Sequence, residues 1–144
     1  MTEELEKKLS GKYPGIFPAQ HNGSFYFECN DGWYGLIDSL CAVIQAHVTH
    51  KELNGVDHSE SCAVQVKEKW GTLRFYVSGY DDYVYGAIAM AEMQSGVICE
   101  LCGAAGTRIK KAHIQTLCVP CHEREKEHWA QLANNSNQKK SKDL

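Results

Sequence analysis

The 144-residue chain has no apolar run long enough to cross a bilayer, because Asp, Glu, Lys and His interrupt every candidate; a spanning helix needs about 20 apolar residues. The opening MTEELEKKLSGKY lacks an apolar h-region, so no secretory leader is expected. The closing KSKDL lacks the Glu of an ER retention signal. There is no P-loop, no G-x-G-x-x-G, no G-x-S-x-G and no H-E-x-x-H. Their absence removes the usual sequence signs of nucleotide, dinucleotide, α/β-hydrolase and zincin chemistry. No internal repeat is found, and an apolar fraction of 43% allows a core of modest size.

Basic charge is also scarce overall, with a net charge of −3. It is unevenly placed. Residues 1–96 hold 7 Lys/Arg against 13 Asp/Glu, and residues 97–144 hold 8 against 5. The cysteine-rich end is therefore the mildly basic end. That favours an anionic partner there, although no strong basic stripe exists.

Seven cysteines are present. Without an export signal, a cytoplasmic and reducing home is expected, where C-x-x-C pairs signify metal or redox chemistry rather than structural disulfides. A redox C-x-x-C usually occurs once, beside a βαβ pattern. This chain has two such pairs and no βαβ pattern.

The pattern of residues predicts an α+β fold. A short helix over 2–10 is expected, with Thr2 as its cap and Gly11 as its end. FYFEC (25–29) can be extended. Trp33, Leu36, Ile37, Leu40, Cys41, Ile44 and Val48 share one helical face, which predicts a helix over about 33–50 capped by Asn30 or Asp31. CAVQVKEKWGTLRFYVSG reads as a β-hairpin with Gly71 in its turn, and Val64, Val66, Leu73, Phe75 and Val77 facing inward. Asp81 or Asp82 then caps a helix that closes near Ser95-Gly96. HEREKEHWAQLA, after Cys121, is a further helix. The polar end predicts a disordered tail. The expected organisation is a helical and hairpin domain over 1–96, a zinc module over 97–132 and the tail over 133–144.

Cys99-x2-Cys102 and Cys118-x2-Cys121 are 15 residues apart, which matches the spacing of a tetrahedral four-cysteine zinc site. Gly103 lets the backbone turn so that amides face the sulfurs. The first pair sits in a turn, TRIKKAHIQTL can form a hairpin, and the second pair opens a helix. This layout resembles a treble clef, with Zn held structurally and no open ligand position. The spacing also resembles the zinc frame of HNH and endonuclease VII nucleases. That resemblance implies an acid and histidine cluster between the cysteine pairs, with the histidine as general base. Here the loop has His113 and no carboxylate. A degenerate nuclease is therefore an alternative, and a non-catalytic clasp is the expectation.

Two further sets can carry function. His47, His50, His58 and Cys62 could form a second metal site, against the simpler reading of a packed histidine and small core cysteines (Cys29, Cys41, Cys62). The outward face of the hairpin gathers Lys67, Lys69, Arg74 and Tyr76 in an otherwise acidic region. It could bind a small anionic ligand of nucleotide type, or be only a solvated strand face.

DGWYGLIDSLC, then VKEKWGTLRFYVSG, then ICELCGAAG with TLCVPC resemble, in that order, a group of small phage and prophage proteins. The resemblance spans roughly residues 25–122. It implies a phage origin and a zinc-binding end with Cys99, Cys102, Cys118 and Cys121 as ligands, and no defined activity. The leading expectation is a non-catalytic interaction protein acting on a host protein or nucleic acid, with no membrane partner.

Overall fold

The computed structural model describes residues 1–18, 25–110 and 113–142, with side chains to 133. Helix α1 spans Glu3–Lys12 and helix α2 spans Tyr34–Leu53. Strand β1 is Phe27–Glu28, β2 is Cys62–Lys69 and β3 is Thr72–Ser78. Helix α3 spans Asp82–Ser95. Strands β4 (Thr107–Ile109) and β5 (Gln115–Leu117) pair antiparallel, and helix α4 covers Val119–Lys142. The fold is α+β, as the residue pattern predicts.

The caps differ in detail from expectation. Thr2 sits at the N-cap of α1 but makes no capping bond; its amide donates to Asp31 Oδ1 at 2.7 Å instead. Asp31 is thereby taken from capping α2, which is entered through a 3-10 turn over Asp31–Trp33. Helix α1 runs through Gly11 to Lys12, where Tyr13 turns inward and is buried. For α3 the cap is Asp81, whose Oδ1 accepts from the amide of Val84. Helix α4 continues past residue 132, through a stretch whose composition predicts no structure. Neither Gly nor Pro follows Pro120 to stop it.

The main sheet has the order β1-β2-β3, with β1 parallel to β2 and β2 antiparallel to β3. One inward assignment fails: Val64 is 55% exposed while Ala63 is buried. The pairing register shifts between Ala63 and Gln65. An extra residue in one strand inverts the alternation on one side of it. From Val66 onward the expected face is kept, with Val66, Leu73 and Phe75 buried. Phe17, Phe25 and Phe27 fill the space under this face, with ring centroids 4.9–5.1 Å apart. Trp33, Ile37, Leu40, Cys41 and Ile44 of the α2 face complete the core.

The free edge of β3 is closed by α3. Ser95 Oγ accepts from the amide of Leu73 at 2.8 Å, and Glu92 Oε1 accepts from the amide of Phe75 at 2.9 Å. Side chains thus complete the edge that would otherwise offer unpaired donors.

Candidate metal centre and its surroundings

Cys99, Cys102, Cys118 and Cys121 converge. Their sulfurs all lie within 4.8 Å of one another, and Cys102 and Cys118 are 3.6 Å apart. Tetrahedral zinc with Zn–S near 2.3 Å needs sulfurs about 3.8 Å apart, so the donor set fits a metal ion. Local backbone bonds hold the first pair. The amide of Cys99 donates to Ala104 O at 2.7 Å, and that of Gly103 to Cys99 O at 2.9 Å. Gly103 has φ +78, the left-handed geometry this turn requires. A Cβ on Gly106 would lie 2.9 Å from Cys99 N, so the strand leaving the turn also needs a glycine.

The second pair meets the start of α4. The amide of Cys121 bonds to Cys118 and, as the largest cause, lowers that thiol to about 7. Burial, followed by the neighbouring thiols, pushes Cys121 up to about 12. Arg124 Nη2 donates to Cys121 Sγ at 2.8 Å. Four sulfurs at this separation ionise together only around a cation, and Arg124 offsets part of the remaining negative charge.

The cysteine module is bonded into the rest of the chain. Trp33 Nε1 donates to Ile98 O at 2.9 Å, and the amide of Gly32 to Glu100 O at 2.8 Å. Asn30 donates to Glu100 Oε1 through its amide and its side chain, at 3.2 and 2.9 Å. On the opposite side, Thr116 Oγ1 donates to Gly71 O at 2.5 Å and Arg108 Nη2 to Trp70 O at 2.5 Å. The hairpin turn is therefore gripped by the module.

That turn is Trp70-Gly71, with φ +58 and +79. Both positive values mark the two-residue turn that suits the strand twist, and its first position ordinarily takes Asn, Asp or Gly. Tryptophan there costs about 1 kcal/mol or more in backbone strain, yet its side chain is 60% exposed.

The four predicted hairpin residues are not equivalent. Lys67 Nζ stands 5.6 Å from the centroid of the Tyr76 ring, and Lys69 is exposed beside Trp70. Arg74 is engaged: Nη1 donates to Thr72 Oγ1 and Leu73 O, and lies 3.9 Å from Glu92. None of the four lines the cavities described below.

The second histidine set does not come together as a metal site. His47 Nε2 pairs with Asp81 Oδ2 at 2.8 Å and stacks on Tyr83. His58 Nδ1 faces Ser61 Oγ at 3.2 Å. Among the described residues, the four cysteines are the one group of three or more candidate donors this close together. Cys29 and Cys41 are buried, and desolvation raises both thiols.

One constellation leaves no trace in local spacing, since the stretch between the cysteine pairs holds no carboxylate. Glu68, from β2, lies 3.5 Å from His113 Nε2, and Glu100, from the first cysteine turn, lines the same cavity. The acids come from residues 45 and 13 positions before the histidine, so no local spacing reveals them. Lys111, a basic residue of the loop, lies outside the described residues.

No family model matches the chain, and no curated protein or solved structure matches it.

Proposed function

We propose that this chain is a zinc-clasped interaction protein of the phage type its motifs resemble, working in a reducing cytoplasm and binding single-stranded nucleic acid at its hairpin. The four-cysteine cluster is the clasp. Its turn, hairpin and helix N-terminus follow the treble-clef order, and four thiolates leave zinc no open position for a substrate. The observation that carries the reading is Trp70: an exposed indole on a left-handed backbone, with Arg108 bonded to its carbonyl and Thr116 to that of Gly71 beside it. Strain retained under an exposed aromatic suits a recognition element. Lys69 beside it, with the Lys67–Tyr76 pair on the adjoining face, supplies the cations and second ring that a sequence-tolerant stacking surface uses.

The test is fluorescence anisotropy of a labelled oligonucleotide against the zinc-loaded chain at low salt. Trp70→Gly with Lys69→Ala should weaken binding at least about tenfold, since one stacked base is worth about 1–3 kcal/mol. The melting temperature should hold or rise, because glycine relieves the strain. Absence of binding at low salt rejects the nucleic-acid reading.

A protein partner is the second reading, and one surface favours it. Leu36, Leu40, Val43, Ala87 and Met90 line an apolar groove of about 110 Å³ between α2 and α3, and Met93 beyond it is 80% exposed. Flexible methionines suit a surface that repacks around a partner.

A further inference from the structure

The cavity beside His113 has a volume of about 320 Å³, and its polar walls include Glu28, Glu68, Glu100, His113, Asn30 and Gln115. Among the described residues no Lys or Arg lines it. Met1 also lines it, and its amino group is engaged, donating to the carbonyls of Phe27 and Cys29 and lying 3.9 Å from Glu6.

Glu100 is the group out of place. It is 2% exposed, and only one of its carboxylate oxygens is bonded, to Asn30. Its other oxygen, Oε2, is buried without a hydrogen-bond partner. A carboxylate oxygen left bare in the interior costs about 1–3 kcal/mol or more, so a partner is expected. Glu68 is also half-committed: Oε1 accepts from the amide of Gly71 at 2.6 Å, while Oε2 faces His113. The uncommitted oxygens of Glu100 and Glu68 are both acceptors, and the acids lining the cavity outnumber the one histidine.

We infer that this cavity binds a hydrated divalent cation of the magnesium and manganese class, held by Glu68 and Glu100 with His113 at its rim. Glu68, Glu100 and His113 do not converge as the four cysteines do, so they would hold an ion through its waters rather than enclose it bare. Hard cations of this class keep several waters and use one or two carboxylates. A cleft of this volume has room for an ion with its inner waters. The site is separate from the cysteine cluster but shares a turn with it, because Glu100 follows Cys99 directly.

The probe is Mn²⁺ added to the zinc-loaded full-length chain, with free Mn²⁺ read by electron paramagnetic resonance and Mg²⁺ as competitor. One Mn²⁺ per chain should bind and be displaced by Mg²⁺. Glu68→Gln and Glu100→Gln should each weaken it by about tenfold or more, the value of a charge-assisted contact. No binding up to millimolar Mn²⁺, or binding unchanged in both variants, overturns the proposal. Zinc content and thermal melting show whether Glu100→Gln folds. If it does not, the wild-type chain decides, because Mn²⁺ must broaden the amide resonances of Asn30, Glu100 and Gln115 and spare those of α3. Broadening elsewhere rejects the site. No nucleic acid enters the assay, so its outcome is independent of the hairpin reading.

Discussion

Thr116 and Gly71 are 45 residues apart, yet the Thr116 hydroxyl donates to the Gly71 carbonyl at 2.5 Å in a fully buried position. This bond joins β5 of the cysteine module to the turn of the main hairpin. A Cβ on Gly71 would stand 3.2 Å from Ile114 and 3.4 Å from the same hydroxyl. The turn therefore docks closely as well as bonding.

Thr116→Val keeps the shape and removes the donor, leaving Gly71 O buried without this partner. A loss of about 1–3 kcal/mol is expected, read by denaturant unfolding. A loss well under about 0.5 kcal/mol would mean that water or another donor replaces the hydroxyl.

Metal removal should be felt on both sides of the seam. Purified protein should contain one Zn per chain, and Cys118→Ser should lose it. Zinc supplies on the order of 10 kcal/mol of folding free energy in small modules. Chelation should then disorder β4 and β5 and also release Trp70 and Trp33, whose partners Arg108 and Ile98 belong to the module. Paired metal analysis and tryptophan fluorescence test this. Unchanged fluorescence after zinc loss would show that the hairpin turn holds without the clasp.

Gly32 sets how closely the two parts approach. A Cβ there would lie 2.3 Å from Cys99 O and 2.5 Å from Glu100 O, both backbone atoms that cannot step aside. Gly32→Ala should cost about 3 kcal/mol and weaken zinc retention. Gly86→Ala, in α3 with nothing within 4 Å of the new atom, is the control. It should gain up to about 1 kcal/mol from helix propensity. Thermal melts of the two variants should move in opposite directions.

The α2–α3 contact should respond to acid. The hydrogen bond from His47, first among the causes, holds the Asp81 carboxyl below its usual range. A carboxylate depressed in the folded state contributes stability that is present above its unfolded value and is lost as pH falls through the folded value. Asp81→Asn can still cap α3, so the variant isolates the charge. Wild type should melt higher than the variant near neutral pH, and the gap should close as pH falls below the ordinary aspartate value near about 3.9. The size is small, because Asp81 is partly exposed. A gap that persists in strong acid would assign the effect to capping geometry.

The elements with strong local signals are readable from the chain alone. The α2 face, the hairpin, a cap at Asp81 or Asp82 and the metal ligands all rest on spacings of two, three or four residues, which backbone geometry converts directly into a shared face or a shared turn. The same local rules explain the misreadings. Val64 follows the alternation perfectly, and one bulge, offset by core packing at Ala63 and Val66, turns it outward.

Only the tertiary structure decides the rest. That Glu68 meets His113 in a cavity Glu100 also lines, that Thr116 holds Gly71, and that Arg74 is drawn to Glu92 are consequences of how the cysteine turn docks on Gly32 and on the hairpin, and of how α3 packs beside β3. Contacts across tens of residues leave no periodic trace, because they depend on the summed geometry of every element between them. The sequence by itself determined four sulfurs that can grip one ion. The docking of that grip on a glycine with no room for a methyl group decided which acids, which histidine and which tryptophan surround it.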